Sequence, residues 1–323
     1  MSNPDLVVLF EHPEWQKPLF EVLGRRGVRF EALDLKANAF RHDALSPRPL
    51  YFNQASPSAY VRGNTRAVPF AAAVIRSIEV AGGRVINGWK ALSIELSKST
   101  QAALITGLGL QTPRSLPFND VEALARVVEA TPAWQWPALI KPEQGGSGAR
   151  IFQVNSIDEV RRLIADQPGL WAPDHLLLLQ EKIPSEPDAG IIRMEFLDGE
   201  LLYAMKVLAY GGFNLCPSEA CNPVDGEGSC EIPTAAAPTK PVEFHPYPQV
   251  SAAAVEGGKK IVRAAEIDVG GIEFIETPNG PVFYDINANS NLRAPIGKAF
   301  GFDPFERVAD YLVAQIERHR STR

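Results

Sequence analysis

The stretch Ala138-Leu139-Ile140-Lys141-Pro142-Glu143-Gln144-Gly145-Gly146-Ser147-Gly148-Ala149-Arg150-Ile151-Phe152-Gln153-Val154 is an apolar run, a glycine-rich bend and an alternating run. That order reads as strand, mobile loop, strand. A Walker A loop needs Gly-Lys-Ser/Thr opening a helix, and a dinucleotide fingerprint needs Gly-x-Gly-x-x-Gly between strand and helix. Neither is present. Gly145, Gly146 and Gly148 around Ser147 can fold as a flap whose backbone N–H groups close over phosphates, with Lys141 offering a point charge to phosphate oxygens. Taken alone, the bend reads equally well as an ordinary glycine hairpin.

A second region decides between these readings. Residues 272–276 and 282–287 read as two strands joined by Thr277-Pro278-Asn279-Gly280-Pro281, a hairpin loop. Pairing Glu276 with Val282 and counting back places Glu273 opposite Asp285, on the face of Asn287. Cross-strand neighbours lie about 5 Å apart at Cβ, where like charges repel. A divalent cation removes the conflict, and two carboxylates with an amide oxygen are hard ligands suited to Mg²⁺. A solvated acidic hairpin is the alternative, disfavoured because the intervening Val, Phe, Tyr and Ile would bury one face.

These two halves in sequence resemble the ATP-grasp proteins, most of all the glutamate-ligase branch that includes the ribosomal protein S6 modification and lysine-biosynthesis carrier-protein ligases. The resemblance covers about residues 96–320. It implies an α/β (α+β) ATP-grasp fold of two lobes behind a Rossmann-like pre-ATP-grasp domain, with divisions at 1–95, 96–185 and 186–323. Ser97-Lys98-Ser99-Thr100 before an apolar helix resembles the segment carrying the first nucleotide lysine, so Lys98 takes that role and Lys141 matches the second. Gln180 followed by Glu181-Lys182-Ile183 resembles the strand and hinge that hold adenine. Glu273 stands where an aspartate is usual and Asp285 where a glutamate is usual; each swap keeps the charge and moves it by one methylene. Ile191 replaces the acid near the ribose, leaving Glu186 or Asp188 as substitutes.

An Asp198-Gly199 turn marks another hairpin, residues 191–207. Pairing Leu197 with Glu200 puts Ile192, Met194, Phe196, Leu201, Tyr203 and Met205 on one face, and Arg193, Glu195 and Lys206 on the other. Arg193 then matches the family arginine that meets the transferred phosphate, where a cation stabilises developing charge. A surface pair of Arg193 with Glu195 or Glu200 is the plainer reading. Arg293 follows the metal strand as substrate-contacting residues do in this family, or else serves a helix C-terminus. Of the branch's Arg-Ser-Asn segment, Asn214 alone matches.

The N-terminal part alternates strand and helix: strands at residues 6–10, 30–35, 49–53 and 84–87, with helices at 15–24 and 67–81. Short links favour a parallel sheet. Ligands in such sheets bind past the strands' carboxyl ends, which makes His12, Asn53, Ser56 and Arg62 candidate substrate residues.

Composition is compatible with a soluble, cytoplasmic enzyme. With 323 residues and 45% hydrophobic content, two or three domains with real cores are expected. Net charge −6 and a pI near 5.5 argue against a nucleic-acid surface. The apolar runs at 104–110 and 176–179 are far too short for a membrane span. Cys216, Cys221 and Cys230 fit no zinc spacing. They lie in a long Pro/Gly-rich segment, about residues 211–245, expected to be a lid that orders on ligand binding.

The resemblance therefore implies an ATP-dependent, ADP-forming carboxylate–amine ligase working through an acyl phosphate, with Mg²⁺ or Mn²⁺. Its substrates would be small-molecule or peptide acids and amines, and a homo-oligomer is compatible with the apolar helix faces. A small-molecule kinase on the same fold and a non-catalytic nucleotide sensor are the rival readings.

Overall fold

The computed structural model describes residues 4–146, 148–184, 190–209, 242–290 and 292–322. Five apolar residues in succession form β1 (Leu6–Phe10), buried throughout. Its flanking elements are α1 (Pro13–Arg25), β2 (Phe30–Asp34), β3 (Leu50–Gln54), α2 (Ala67–Val80), β4 (Val85–Ile86) and α3 (Trp89–Glu95). The four strands are parallel in the order β2-β1-β3-β4. Such a sheet needs both faces covered. Ala71, Val74, Ile75 and Ile78 of α2 pack on Val7, Leu9 and Tyr51, while Leu19, Val22 and Leu23 of α1 pack on Leu6, Val8, Leu50 and Phe52.

The next segment runs α4 (Lys98–Gly107), β5 (Ser115–Phe118), α5 (Val121–Ala130), β6 (Ala138–Pro142), β7 (Phe152–Val154), α6 (Ile157–Asp166) and β8 (Leu177–Glu181). Its sheet is antiparallel, ordered β5-β8-β6-β7. Side chains of Ser97, Asp120 and Ser156 cap α4, α5 and α6 by accepting an N–H three residues on. Leu124 and Val160 then close over Ile140, Leu177 and Leu179.

The last segment comprises β9 (Ile191–Leu197), β10 (Glu200–Leu208), β11 (Glu243–Pro246), α7 (Ala252–Ala265), β12 (Val269–Thr277), β13 (Gly280–Asn287), α8 (Ala294–Ala299) and α9 (Pro304–Ser321). Its five strands order as β11-β10-β9-β12-β13. Helix α9 packs mainly on the N-terminal sheet, placing Phe305, Val308, Leu312 and Ile316 in one apolar cluster with residues of α1, β1 and β3, joined by Val269 of β12. Each such side chain contributes about 1.5–3 kcal/mol by burial. No described helix is long and apolar enough to cross a membrane.

Two β-bulges change the faces that alternation predicts. In the first hairpin Leu197 pairs with Glu200 as expected, but a register shift between Leu201 and Tyr203 sets Tyr203 opposite Glu195 and Met205 opposite Arg193. An extra residue in one strand inverts everything beyond it. Tyr203 and Met205 therefore lie on the Arg193 face, and Lys206, opposite Ile192, lies on the other; the expectation that Arg193 and Lys206 share a face is corrected. In the second hairpin Glu276 pairs with Pro281 rather than Val282, and the turn is only Pro278-Asn279. A bulge at Tyr284 then restores Glu273 to its place opposite Asp285.

Candidate active site

The two antiparallel sheets face each other across a cavity of about 490 Å³. Lys98, Lys141, Glu273 and Asp285 line its polar end, with Gly145, Gly146 and Gly148 at its rim. Leu139, Ile151, Ile183, Ile191, Val207 and Ile275 line the rest, beside Glu181 and Lys182. An apolar slot next to a charged end suits a ligand with a flat base and a polyanionic tail.

Each lysine is aimed by its neighbours. Lys98 opens α4, and its Nζ donates to Asp285 Oδ1 at 2.5 Å. Glu143, just past β6, accepts from Ser97 Oγ at 2.6 Å, from the Ser99 N–H at 3.2 Å and from Ser99 Oγ. It thereby ties the first turn of α4 to the end of β6. Burial opposes charge on Lys98, but Asp285, Glu273 and Glu143 together outweigh it and raise the pKa above the ordinary value. Lys141 is buried; its Nζ donates to Gln180 Oε1 at 2.6 Å, and Gln180 Nε2 donates to Ser115 Oγ at 3.0 Å. With a neutral amide as this partner, burial and then the charge of Lys98 lower Lys141 to about 8.

The acidic pair is compensated from both sides. Tyr284 Oη donates to Glu273 Oε2 at 2.9 Å, and the Arg193 Nη1 group donates to Glu273 Oε1 at 3.1 Å. Burial first, and then Asp285, push the Glu273 carboxyl above its ordinary range. Asn287 Nδ2 donates to Asp285 Oδ2 at 3.3 Å, leaving the amide oxygen unengaged by that bond. A buried and a part-buried carboxylate in cross-strand register, with a neighbouring amide, fit a hard divalent cation. Among the described residues no group of three or more His, Cys, Asp or Glu forms a metal site, so the metal reading rests on this mixed set.

Arg193 is held by Glu195, which is fully buried and accepts Nε at 2.6 Å and Ser290 Oγ at 2.5 Å. Gly271 makes room: a Cβ there would stand 2.6 Å from the guanidinium. Burial disfavours the charge, yet Glu195 and Glu273 raise the Arg193 pKa. Glu95, buried at the end of α3, is pushed up to about 8 by burial and then by Asp285, and its Oε2 has no hydrogen-bond partner.

Other sequence candidates lie elsewhere. The Glu181 carboxylate, although its residue lines the cavity, is committed to a pair with Arg114, with Nε at 2.9 Å. Lys182 Nζ donates to Gln153 at 2.8 Å. Lys206 and Arg293 are not among the lining residues. Arg293 stands at the N-cap of α8, not at a helix C-terminus, with its guanidinium 3.3 Å over the Phe244 ring centroid. Asn53 is wholly buried and bonds the Asn87 carbonyl at 3.2 Å and the Ala55 N–H at 2.9 Å. Ser56 caps the helical turn Pro57–Tyr60. Arg62 is buried in an ion pair with Glu11 and lies over Trp15, on which His12 stacks at 4.3 Å. Ser147, Glu186, Asp188, Asn214, Cys216, Cys221, Cys230 and most of the expected lid lie outside the described residues.

Gln180, Glu195, Tyr284, Glu143 and Glu95 were not assigned site roles from sequence. Only Glu143, adjacent to the glycine bend, carried a local signal.

Sheet order, flap and cavity together define the class: the chain has the ATP-grasp fold. It is similar in structure to ATP-grasp ligase PsnB complexed with a phosphomimetic variant of its minimal precursor, Mg and ADP (TM-score 0.62, 19% identity, covering 97% of this chain and 100% of that one). Two others are D-cycloserine synthetase DcsG (0.69, 15%, 96% and 99%) and D-alanine–D-alanine ligase from Bacillus anthracis complexed with ATP (0.65, 11%, 99% and 99%). No protein-family model and no curated protein matches the chain.

Proposed function

We propose that the protein is an ATP-dependent carboxylate–amine ligase. The observation that carries this reading is the convergence of the buried Lys141, the part-buried Lys98 and a paired Glu273–Asp285 on one end of an otherwise apolar cavity. Adenine would occupy the slot between Leu139, Ile183 and Val207, with its phosphates toward Lys98, Lys141 and the flap glycines. Glu273, Asp285 and Asn287 would hold Mg²⁺, or Mn²⁺ in its place, which when bound supplies charge neutralisation on the phosphates.

In the reaction, a substrate carboxylate oxygen attacks the γ-phosphorus and ADP leaves. An amine then attacks the acyl carbon and expels phosphate, with the amine proton lost to solvent or to the departing phosphate. Lys98, Lys141 and Arg193 orient the phosphates and offset charge as it moves. No side-chain nucleophile is required. ATP-grasp neighbours include one bound to a precursor peptide and others named for small molecules, which supports screening both substrate kinds.

The test is release of ADP and phosphate from ATP and Mg²⁺ across pools of acids and amines, with mass spectrometry of the products. Both released, together with a mass equal to acid plus amine minus water, is the expected outcome. ADP with a phosphorylated product would establish a kinase instead. Binding without turnover in any pool would favour a sensor.

A further inference from the structure

The glycine flap is not held by its own lobe alone. Gly146 lies against the turn Pro57–Tyr60 of the N-terminal sheet so closely that a Cβ would meet Ser58 Cβ at 2.7 Å and Ser58 Cα and N at 3.0 Å. Two residues earlier, Gln144 Oε1 accepts the Tyr60 hydroxyl at 3.2 Å. Three residues later, Ala149 packs with Val61, both buried. Contacts thus run the length of the described flap. On its other side the Gln144 N–H donates to Asp174 at 3.1 Å.

The turn itself is built to stay put. Ser56 caps it, Ser58 Oγ accepts from Arg62 at 2.8 Å, and Arg62 is locked in its buried pair with Glu11 at the end of β1. Glycine loses more conformational freedom on ordering than any other residue, so a Gly-Gly-x-Gly flap left to itself is costly to order. A rigid surface of matching shape lowers that cost by removing alternatives before a ligand arrives.

We propose that Pro57–Val61 is the seat of the phosphate flap, with Ser58 and Tyr60 as positioning residues that hold residues 144–146 and 148–149 over the cavity. The N-terminal sheet then takes part in gripping the nucleotide's phosphates, although none of its residues lines the cavity. The role in nucleotide binding rests on the ligase reading above; the seat itself does not.

The test is hydrogen exchange of a peptide spanning residues 143–150 in the nucleotide-free protein and three variants. Gly146 does not have a positive φ, so Gly146→Ala tests the contact with Ser58 rather than backbone strain. Tyr60→Phe removes one hydroxyl. Both are expected to speed flap exchange, Tyr60→Phe by about 3- to 10-fold, the range one hydrogen bond of ordinary strength gives, with β12 and β13 unchanged. Adding Gln144→Ala to Tyr60→Phe should produce no further acceleration. Unchanged flap exchange in both single variants overturns the seat.

A second arm uses the magnesium complex of a non-hydrolysable ATP analogue, with AMP as control. Tyr60→Phe should weaken the analogue several-fold and leave AMP unaffected, because only the analogue carries the β- and γ-phosphates that would lie under the flap. Equal weakening of both would mean general loosening and would overturn a positioning role. If the wild type binds neither while the exchange effects persist, the nucleotide reading fails and the seat stands.

Discussion

Lys141→Met distinguishes a lysine kept for ligand binding from one kept for stability. Lys141 is 6% exposed, with the neutral Gln180 amide 2.6 Å from its ammonium. Burial, followed by the charge of Lys98, lowers its pKa from 10.5 to about 8. At about 1.4 kcal/mol for each tenfold change in proton affinity, carrying the charge costs the empty protein about 3 kcal/mol. The sign follows from linkage: the unfolded chain binds this proton more tightly, so the cost is complete below about pH 8 and disappears as pH rises to 10.5. Methionine is similar in length and uncharged, so the cost vanishes, while Gln180 Oε1 loses its donor at about 1–3 kcal/mol. The balance at pH 7 is a stability unchanged or raised by up to about 2 kcal/mol, with the gain shrinking by pH 10. Denaturant midpoints at both pH values read the first effect, and calorimetric titration with MgADP reads the second, an affinity loss of at least about tenfold. A variant destabilised at pH 7 with MgADP affinity intact would refute the reasoning and make Lys141 a structural residue.

Asp285→Asn removes the charge that holds Lys98 and half of the acidic pair, so turnover should vanish and Mg²⁺ should no longer strengthen nucleotide binding; wild-type turnover would remove Asp285 from the mechanism. Gly271→Ala drives a methyl into the Arg193 guanidinium, and a displacement of that size should lower turnover on the order of 100-fold while MgADP still binds, as single-turnover kinetics beside calorimetry would show. Glu95 in the folded protein titrates near 8 rather than 4.5, so the stability associated with its neutral form is complete below pH 4.5 and lost as pH rises through 8. Glu95→Gln stays neutral and should be more stable than the wild type at pH 9; equal midpoints there would show that Glu95 is not held protonated.

Much of the fold was legible because its signals are local. Alternation in residues 191–197, the Asp198-Gly199 turn and the five-residue apolar run of β1 each specify an element without reference to the rest of the chain. The acidic pair was legible too, though for an incomplete reason. A hairpin register off by one at Glu276 is offset by one extra residue at Tyr284, and the two deviations cancel at Glu273. Nothing in a period of two announces a bulge, which is why Lys206 was assigned to the wrong face. Contacts between distant segments were equally silent. Gln180 beside Lys141, Ser290 on Glu195, α9 on the first sheet and Tyr60 on Gln144 join residues 39, 95, about 300 and 84 positions apart.

The measurement closest to the central claim follows oxygen. Once the substrate acid is identified, it is supplied with ¹⁸O in both carboxylate oxygens, together with ATP, Mg²⁺ and the amine, and the released phosphate is analysed by mass. Passage through an acyl phosphate requires one carboxylate oxygen to leave with the phosphorus, so phosphate carrying one ¹⁸O is expected. Phosphate without label, formed at the same rate as the product, would contradict the account.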